Sequence, residues 1–586
     1  MPPQPSKRYG VDARAGLFFA ASAVVLTWPL LASPGASISI RDDYFQNLWN
    51  AWWMRTALFD LHVSPWWTDH LFHPTGVSLA RHTLTPLNAL LIGLISRVAS
   101  PDTAYNGVLW MHFWLSGWAA YELARDQTGS RSGSVLAGIV YAYAPIHYFY
   151  LPQINVATFE FLPLTILFLH RSWRDGGRHN AVGSVVCVAL QAASGSYLLV
   201  YAALFALGLA AFGRHFGPAP TAPSTRRLLA VGAACGVAVA IVAWPLISSA
   251  MSAWLSGEVG ASEIRRPRGN DLLGFNWMIE SSPIVSWPSV FGYSTLLLVA
   301  TGVRGLRRQK GWILAGACFW ILSLGSELHI AGTSTGTPLP FAALKEVPVV
   351  GMLRMSNRFL VAVQLALAVL CAAAWKDLAG RWRDPRRRAA AGIAVGALIA
   401  LELTCAPLRT FRLECAGYYS TLAGNPEVET LVEIPVHRAP NYLAARYNLC
   451  QTLHGKKIPQ GYVTVLAIDE RLARESRAWN RTSRSAIEGD ATAFRNRVQQ
   501  ASIDRVVLNK RFPRRRLRER ELHQLLWQPF FFLRHYLIGE RQLGYVHDVP
   551  LSEKRLARAV SSLTSAFGAP IFEDDSVVVF AGESTR

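Results

Sequence analysis

Two adjacent carboxylates, Asp42 and Asp43, head the stretch Ile40-Arg-Asp-Asp-Tyr-Phe-Gln-Asn-Leu-Trp-Asn-Ala-Trp-Trp-Met54. A carboxylate near a hydroxyl can act as a general base, and it can also ligate a divalent metal. Aspartate at a helix start also caps free backbone N–H groups, but one cap needs one aspartate and here there are two. Phe45, Leu48, Trp49 and Trp52 recur at helical spacing, which predicts an amphipathic helix lying at a membrane interface. Downstream come His62, Trp66, Trp67, His70, His73 and His82. Four histidines in one loop could hold a metal, with Asp43 and His73 as candidate ligands, yet their spacing matches no tight motif. A divalent metal ion is the cofactor such groups would take, and nothing in the spacing identifies it. Arg354 and Arg358 stand four apart, on one helix face. Their forked guanidinium groups suit phosphate, and snorkelling to head groups is the bland alternative. His147, Gln153, Asn155 and Glu160 surround the third and fourth apolar runs, where they, together with His73 of the first outer loop, would orient a hydroxylated acceptor or sugar, or simply satisfy helix ends. Glu258, Glu263 and Arg265 follow the seventh run.

These residues must be held by membrane-spanning elements. The chain has 586 residues, 51% hydrophobic and 16% charged, with twenty tryptophans. Soluble proteins carry about 25% charged residues. Disorder, collagen, coiled coil and small disulfide scaffolds are excluded. The net charge of +20 would suit nucleic acid, but the basic residues fall in short bursts between apolar runs, the pattern of the positive-inside rule. Membrane lipids are the expected partners and nucleic acid is not; protein partners are not readable.

Apolar runs fall at 15–33, 105–124, 133–150, 157–171, 181–194, 196–213, 228–250, 287–303, 311–326, 358–375 and 389–406, giving about eleven spans. The segment 84–98 is interrupted by Pro86, Asn88 and Arg97 and reads as re-entrant or interfacial. The start, Met1 to Arg14, reads as the flank of a retained first helix. With the N-terminus cytoplasmic, Arg125, Arg171, Arg174, Arg227, Arg308, Lys376, Arg388 and their neighbours all fall inside. The Asp43 and Arg358 ends then fall outside. Spans five to nine carry no Asp, Glu, Lys, Arg or His in their interiors, which argues against a coupled pump. The organisation is therefore a transmembrane domain, 1–406, with a first outer loop at 34–104, followed by an extracytoplasmic α/β domain at 407–586. Strand-like runs at Val432–Val436, Arg505–Asn509 and Ser576–Phe580 support the latter. The basic run from Arg511 to Arg520 reads as a solvated helix face, or as a contact for anionic lipid head groups. Cys415 and Cys450 are the two cysteines in this polar part, and no CxxC or zinc-ribbon spacing exists.

The order Asp43…Asn47…Trp49-Asn50…Trp53, then Leu71-Phe72-His73-Pro74-Thr75-Gly76…His82…Asn88, resembles a bacterial branch of the GT-C glycosyltransferase superfamily. So do Gln153-Ile-Asn155…Phe161-Leu162-Pro163-Leu164, Ser194-Gly-Ser-Tyr197, Leu353-Arg354…Arg358-Phe359 and Asn448…Gln451-Thr452…His454-Gly455-Lys456…Gly461-Tyr462. The resemblance implies a polytopic fold with an acidic residue in the first outer loop. It also implies sugar transfer from a polyprenyl-phosphate-linked donor. Asp42 departs from the resembled pattern, which has glycine there, so either aspartate could be the base.

The expected activity is transfer of that sugar to an envelope acceptor at the outer face of the cytoplasmic (inner) membrane. Asp43 or Asp42 would be the base, Arg354 and Arg358 the phosphate ligands. A lipid or polysaccharide transporter, or a non-catalytic envelope assembly protein, is the competing reading. The uncharged middle spans speak against the transporter.

Overall fold

A computed structural model describes residues 12–39, 42–195, 197–216, 223–255, 270–276, 284–286, 290–331, 333–344, 355–408, 410–412, 414–439, 441–464, 467–516 and 545–582. It is mostly helical. The first ten helices are α1 (Ala13–Leu26), α2 (Asp42–Arg55), α3 (Pro86–Ile95), α4 (Pro101–Thr128), α5 (Arg131–Ala142), α6 (Pro145–Phe149), α7 (Ile154–Ala157), α8 (Phe161–Arg174), α9 (Arg178–Ser194) and α10 (Tyr197–Phe212). Local chemistry sets their ends. The Ser100 hydroxyl accepts from the Thr103 N–H at the start of α4, and Gly129 takes a left-handed φ of 70° at its end. With 28 residues α4 is about 42 Å long, more than the hydrocarbon thickness.

Among the described residues three helices are long and apolar enough to cross a membrane: Tyr197–His215, Thr225–Val242 and Ser356–Ala379. The last is apolar all round and buried over 83% of its best window, as befits the centre of a bundle. The runs at 133–150 and 157–171 do not form two unbroken spans. Helix α5 stops at Ala142, and Pro145 at the start of α6 holds Ala144 extended, with ψ 141°. The chain then turns through 150–153 before α7. Helix α3 has ten residues, about half the length needed to cross.

The expectation of an interfacial amphipathic helix at 42–54 is corrected. From Tyr44 to Ala51 every side chain of α2 is buried, and so are Trp53 and Met54. Tyr44, Phe45, Leu48 and Ala51 enter the core of the helical bundle. Trp49, Trp53 and Met54 enter a second core shared with residues beyond 415. The aromatic face that reads as a lipid anchor is covered by protein.

That cover is the last third of the chain. Four strands, in the order Phe572–Glu573, Val577–Ala581, Arg505–Asn509, Leu431–Ile434, make a mixed sheet whose last pair is parallel, in register Leu431↔Arg505. Helices Glu470–Glu488 and Glu553–Phe567 pack with it around Val432, Ile434, Trp479, Phe494 and Val578. The helix Ala445–His454 lies on α2. The Trp49 indole N–H donates to Gln451 Oε1 at 2.7 Å, and Gln451 Nε2 donates to His70 O at 2.7 Å. A disulfide joins Cys415 to Cys450 on this helix. Residues 511–516 of the basic run form a strand paired antiparallel with Tyr545–Pro550, not a helix, because that partner supplies the backbone bonds; residues 517–520 lie outside the described residues.

Inside the sheet, Glu433 is 1% exposed. Its Oε2 accepts from the Tyr419 hydroxyl, and from Asn509 Nδ2 at 3.4 Å. Burial pushes its carboxyl up to about 7. The folded protein therefore binds a proton that the unfolded chain gives up, so Glu433 makes the fold less stable as pH rises from about 4.5 to 7, by up to about 3 kcal/mol. His82, His437 and His454, pushed down by burial to about 3, 4 and 3, act in the opposite sense below their usual 6.5. The comparison of variant with wild type separates the two. Glu433→Gln is expected to match wild-type thermal stability in detergent at pH 4.5 and to exceed it at pH 8. Equal melting at both pH values would show that Glu433 is ionised without cost.

Candidate functional site

Asp43 lies in the first turn of α2. Its Oδ2 accepts from Gln153 Nε2 at 2.6 Å, and Gln153 Oε1 accepts from Arg358 Nη2 at 2.9 Å. One amide thus couples a carboxylate to a guanidinium across 110 and 205 residues of sequence. Arg358 is 6% exposed and sits over the ring of Tyr197, 4.0 Å from its centroid, with Tyr150 at 5.5 Å. Its Nε and Nη1 have no hydrogen-bond partner among the described residues. A buried cation held by aromatic faces and one neutral amide keeps strong donor capacity for an anion.

The turn that presents Gln153 is pinned from several sides. Asn47 Nδ2 donates to Asp43 O at 2.8 Å and to Pro152 O at 3.2 Å. The Tyr105 hydroxyl donates to Leu151 O at 2.9 Å. Asn88 Nδ2, from α3, donates to Ile154 O at 3.3 Å, Thr158 Oγ1 at 3.1 Å and Ser194 O at 3.4 Å. Helix α3 therefore fixes this turn from within the bundle. Asn155 is 8% exposed, and its carbonyl meets Gly195 so closely that a Cβ there would lie 1.9 Å away.

Asp43, Gln153 and Arg358 come together, with Asn155 two residues from Gln153. Asp42 is the first residue of α2, and its side chain lies outside the described residues, as do Arg354, Glu258, Glu263 and Arg265. His147 and Glu160 are not brought to this group. His147 is sandwiched between Phe113 and Phe159, at 3.9 and 4.1 Å, and both ring nitrogens face carbonyl oxygens, of Ala142 and Ala157, at 2.8 Å. Glu160 is 1% exposed and pairs with His112 Nδ1 at 2.7 Å. His73 belongs to the contact with the C-terminal part: its backbone N–H donates to Ile458 O at 3.0 Å, and burial and the nearby Lys457 ammonium lower its imidazole pKa. His82 is neutral, with Nδ1 accepting from the Thr464 N–H at 3.2 Å and Nε2 donating to Asn50 Oδ1 at 3.0 Å. Among the described residues no group of three or more His, Cys, Asp or Glu is placed to hold a metal. Sequence reasoning did not give Tyr105, Asn88 or Tyr150 a role; an asparagine inside an apolar run was the available signal for Asn88.

Gly195→Ala is expected to disturb this turn. The backbone there is extended, at φ 174°, so the obstacle is the Asn155 carbonyl, not the backbone angle. Overpacking of this kind costs about 1–3 kcal/mol. A melting temperature equal to wild type would show that the two segments separate freely.

No family model and no curated protein matches the chain. Solved structures do. The arabinofuranosyltransferase AftD from Mycobacteria is similar with a TM-score of 0.52 and 17% identity, over 86% of this chain and 35% of AftD. A mutant of AftD gives 0.54 and 14%, over 98% of this chain and 42% of that one. The chain thus spans about two fifths of AftD's length. ArnT from Cupriavidus metallidurans, at 0.41 and 12% over 98% and 99%, is below the level at which a shared fold can be argued. The match to AftD extends over most of the chain and, at 14–17% identity, shows the fold alone: the chain has the fold of the part of AftD that it matches.

Proposed function

We propose that this chain is an integral-membrane glycosyltransferase that moves a sugar from a polyprenyl-phosphate-linked donor to an envelope acceptor at the outer face of the cytoplasmic membrane. The observation that carries the reading is the bonded series Asp43–Gln153–Arg358. A transfer of this kind needs a base at the acceptor and a cation at the leaving phosphate, and this series holds one of each at a fixed separation. The Asp43 carboxylate takes the proton of the acceptor hydroxyl as its oxygen attacks the anomeric carbon. The bond from that carbon to the phosphate oxygen breaks, and the polyprenyl phosphate leaves with its charge facing Arg358 Nε and Nη1. Gln153 orients both partners. Arg354, four residues before Arg358, is the proposed second phosphate ligand, and Asp42 the proposed cap of α2.

The topology goes with this reading: about eleven spans, with the N-terminus cytoplasmic and residues 407–586 outside. The Cys415–Cys450 disulfide supports that side for the C-terminal part, since such bonds persist in oxidising compartments. AftD, named for arabinofuranosyl transfer, supports a glycosyl donor without identifying it here.

The test is purified protein assayed against a panel of polyprenyl-phosphate-linked sugars. Asp43→Asn is expected to lose at least ~10²-fold in transfer while remaining folded, because an amide cannot take up the proton. Asp42→Asn should lose less. Arg358→Lys should also be impaired, since a lysine cannot reproduce the fork held over Tyr197. Full activity of both aspartate variants would leave the helix cap as their role and put the base elsewhere, whereas no transfer by wild type from any donor of the panel would favour a non-catalytic assembly protein.

A further inference from the structure

Beside the turn that carries Arg358, a second set of polar groups is buried without partners. Asn270 is 1% exposed, and neither its Oδ1 nor its Nδ2 has a hydrogen-bond partner among the described residues. The same is true of Asn357 Oδ1 and Ser326 Oγ. One carbonyl gathers them: Ser323 O accepts from the Asn270 N–H at 3.0 Å and from the Ser356 hydroxyl at 3.4 Å. Ser326 follows three residues beyond the end of the helix Lys310–Ser323. Ser356 and Asn357 directly precede Arg358 in one 3-10 turn. Buried amides left unpaired lower stability, and native interiors keep few of them. Ser323 O brings the Asn270 backbone to the turn that carries Arg358, whose Nε and Nη1 have no hydrogen-bond partner among the described residues, and unpaired amides so near that turn suit a site whose bonds are completed by something that enters it.

The chemistry of the set narrows what enters. A carboxamide offers one acceptor and one donor side by side. Two neighbouring ring hydroxyls offer a donor and an acceptor at matching spacing. Asn270, Asn357 and Ser326 are neutral, so they select hydroxyls over charge, while Arg358 beside them selects an anion. A neutral polyhydroxylated ring joined to a phosphate satisfies both at once. We propose that Asn270, with Asn357 and Ser326, binds the sugar ring of the glycosyl phosphate donor, two adjacent hydroxyls pairing with the Asn270 amide. This rests on the reading of Arg358 as the residue that faces the donor phosphate.

Full-length protein in detergent is titrated calorimetrically with farnesyl phosphate, glucosyl farnesyl phosphate and ribosyl farnesyl phosphate. Wild type is expected to bind one of the glycosylated probes at least about tenfold more tightly than farnesyl phosphate, the scale of two net hydrogen bonds. Asn270→Ala should remove that increment and leave farnesyl phosphate binding unchanged. Its melting temperature without ligand should equal or exceed that of wild type, because the lost amide had no partner to lose. Arg358→Gln should weaken all three probes. A variant at Asn270 that keeps the increment, or that melts well below wild type without ligand, overturns the ring subsite while leaving the phosphate reading intact. Equal binding of all three probes by wild type also overturns it. No binding of farnesyl phosphate by wild type overturns the phosphate reading, and the ring subsite with it.

Discussion

Helix α2 has no free face along its middle, and the rest of the molecule is arranged around that constraint. One side completes the core of the helical bundle through Tyr44, Phe45 and Leu48; the other completes the C-terminal core through Trp49 and Trp53. Polar groups on such a helix must find protein partners, since water is excluded. Asn47 reaches Pro152 O, Asn50 donates to Thr83 O at 2.7 Å, and Trp49 reaches Gln451. Asp43 stands at the end of this helix, where burial is incomplete, and its direction is set by everything that clamps the residues behind it.

The two ends of the bundle use charge differently. At the end that reads as cytoplasmic, Asp126 is held by Arg171 Nε at 2.8 Å and Arg174 Nη1 at 3.0 Å, and Arg125 lies 3.5 Å from Asp12. Several basic residues that the sequence reading counts as cytoplasmic are therefore also paired with acids. The two roles agree, because orientation depends on counted Lys and Arg and hardly on acids. At the other end Arg358 has, among the described residues, aromatic rings and an amide in contact rather than a carboxylate. The ion pairs make the first end a rigid base; Arg358, with two nitrogens unpartnered among the described residues, keeps binding capacity at the other.

What was legible in the sequence followed from local pattern. The α2 helix was legible in its aromatic spacing and the strand Arg505–Asn509 in its valines. The burial of α2 was not, because periodicity shows that a face is apolar and not whether lipid or protein covers it. Gln153 was visible as a polar residue at a turn, but its bridging role depends on contacts with residues far away in sequence. His147 carried the signal of a site histidine, yet Phe113 and Phe159 enclose it. The run Arg511–Arg516 is rich in arginine, which favours helix, and tertiary pairing with Tyr545–Pro550 overrides that preference. Asn270 gave no signal, since one asparagine in a loop is ordinary until its surroundings are known.

The Trp49–Gln451 bond spans 402 residues of chain. At the usual pace of synthesis, about 5–20 residues per second, the ribosome needs roughly 20–80 s to travel that distance. Throughout that interval the growing chain carries α2 with its tryptophans uncovered, beside a bundle that is otherwise able to assemble. The helix Ala445–His454 must also be in place before the Asp43 end of α2 is clamped. Closure of the Asp43 end is thus deferred until the residues around Gln451 have emerged, and a chain cut short before the helix Ala445–His454 would leave a sticky aromatic surface for quality-control machinery to find.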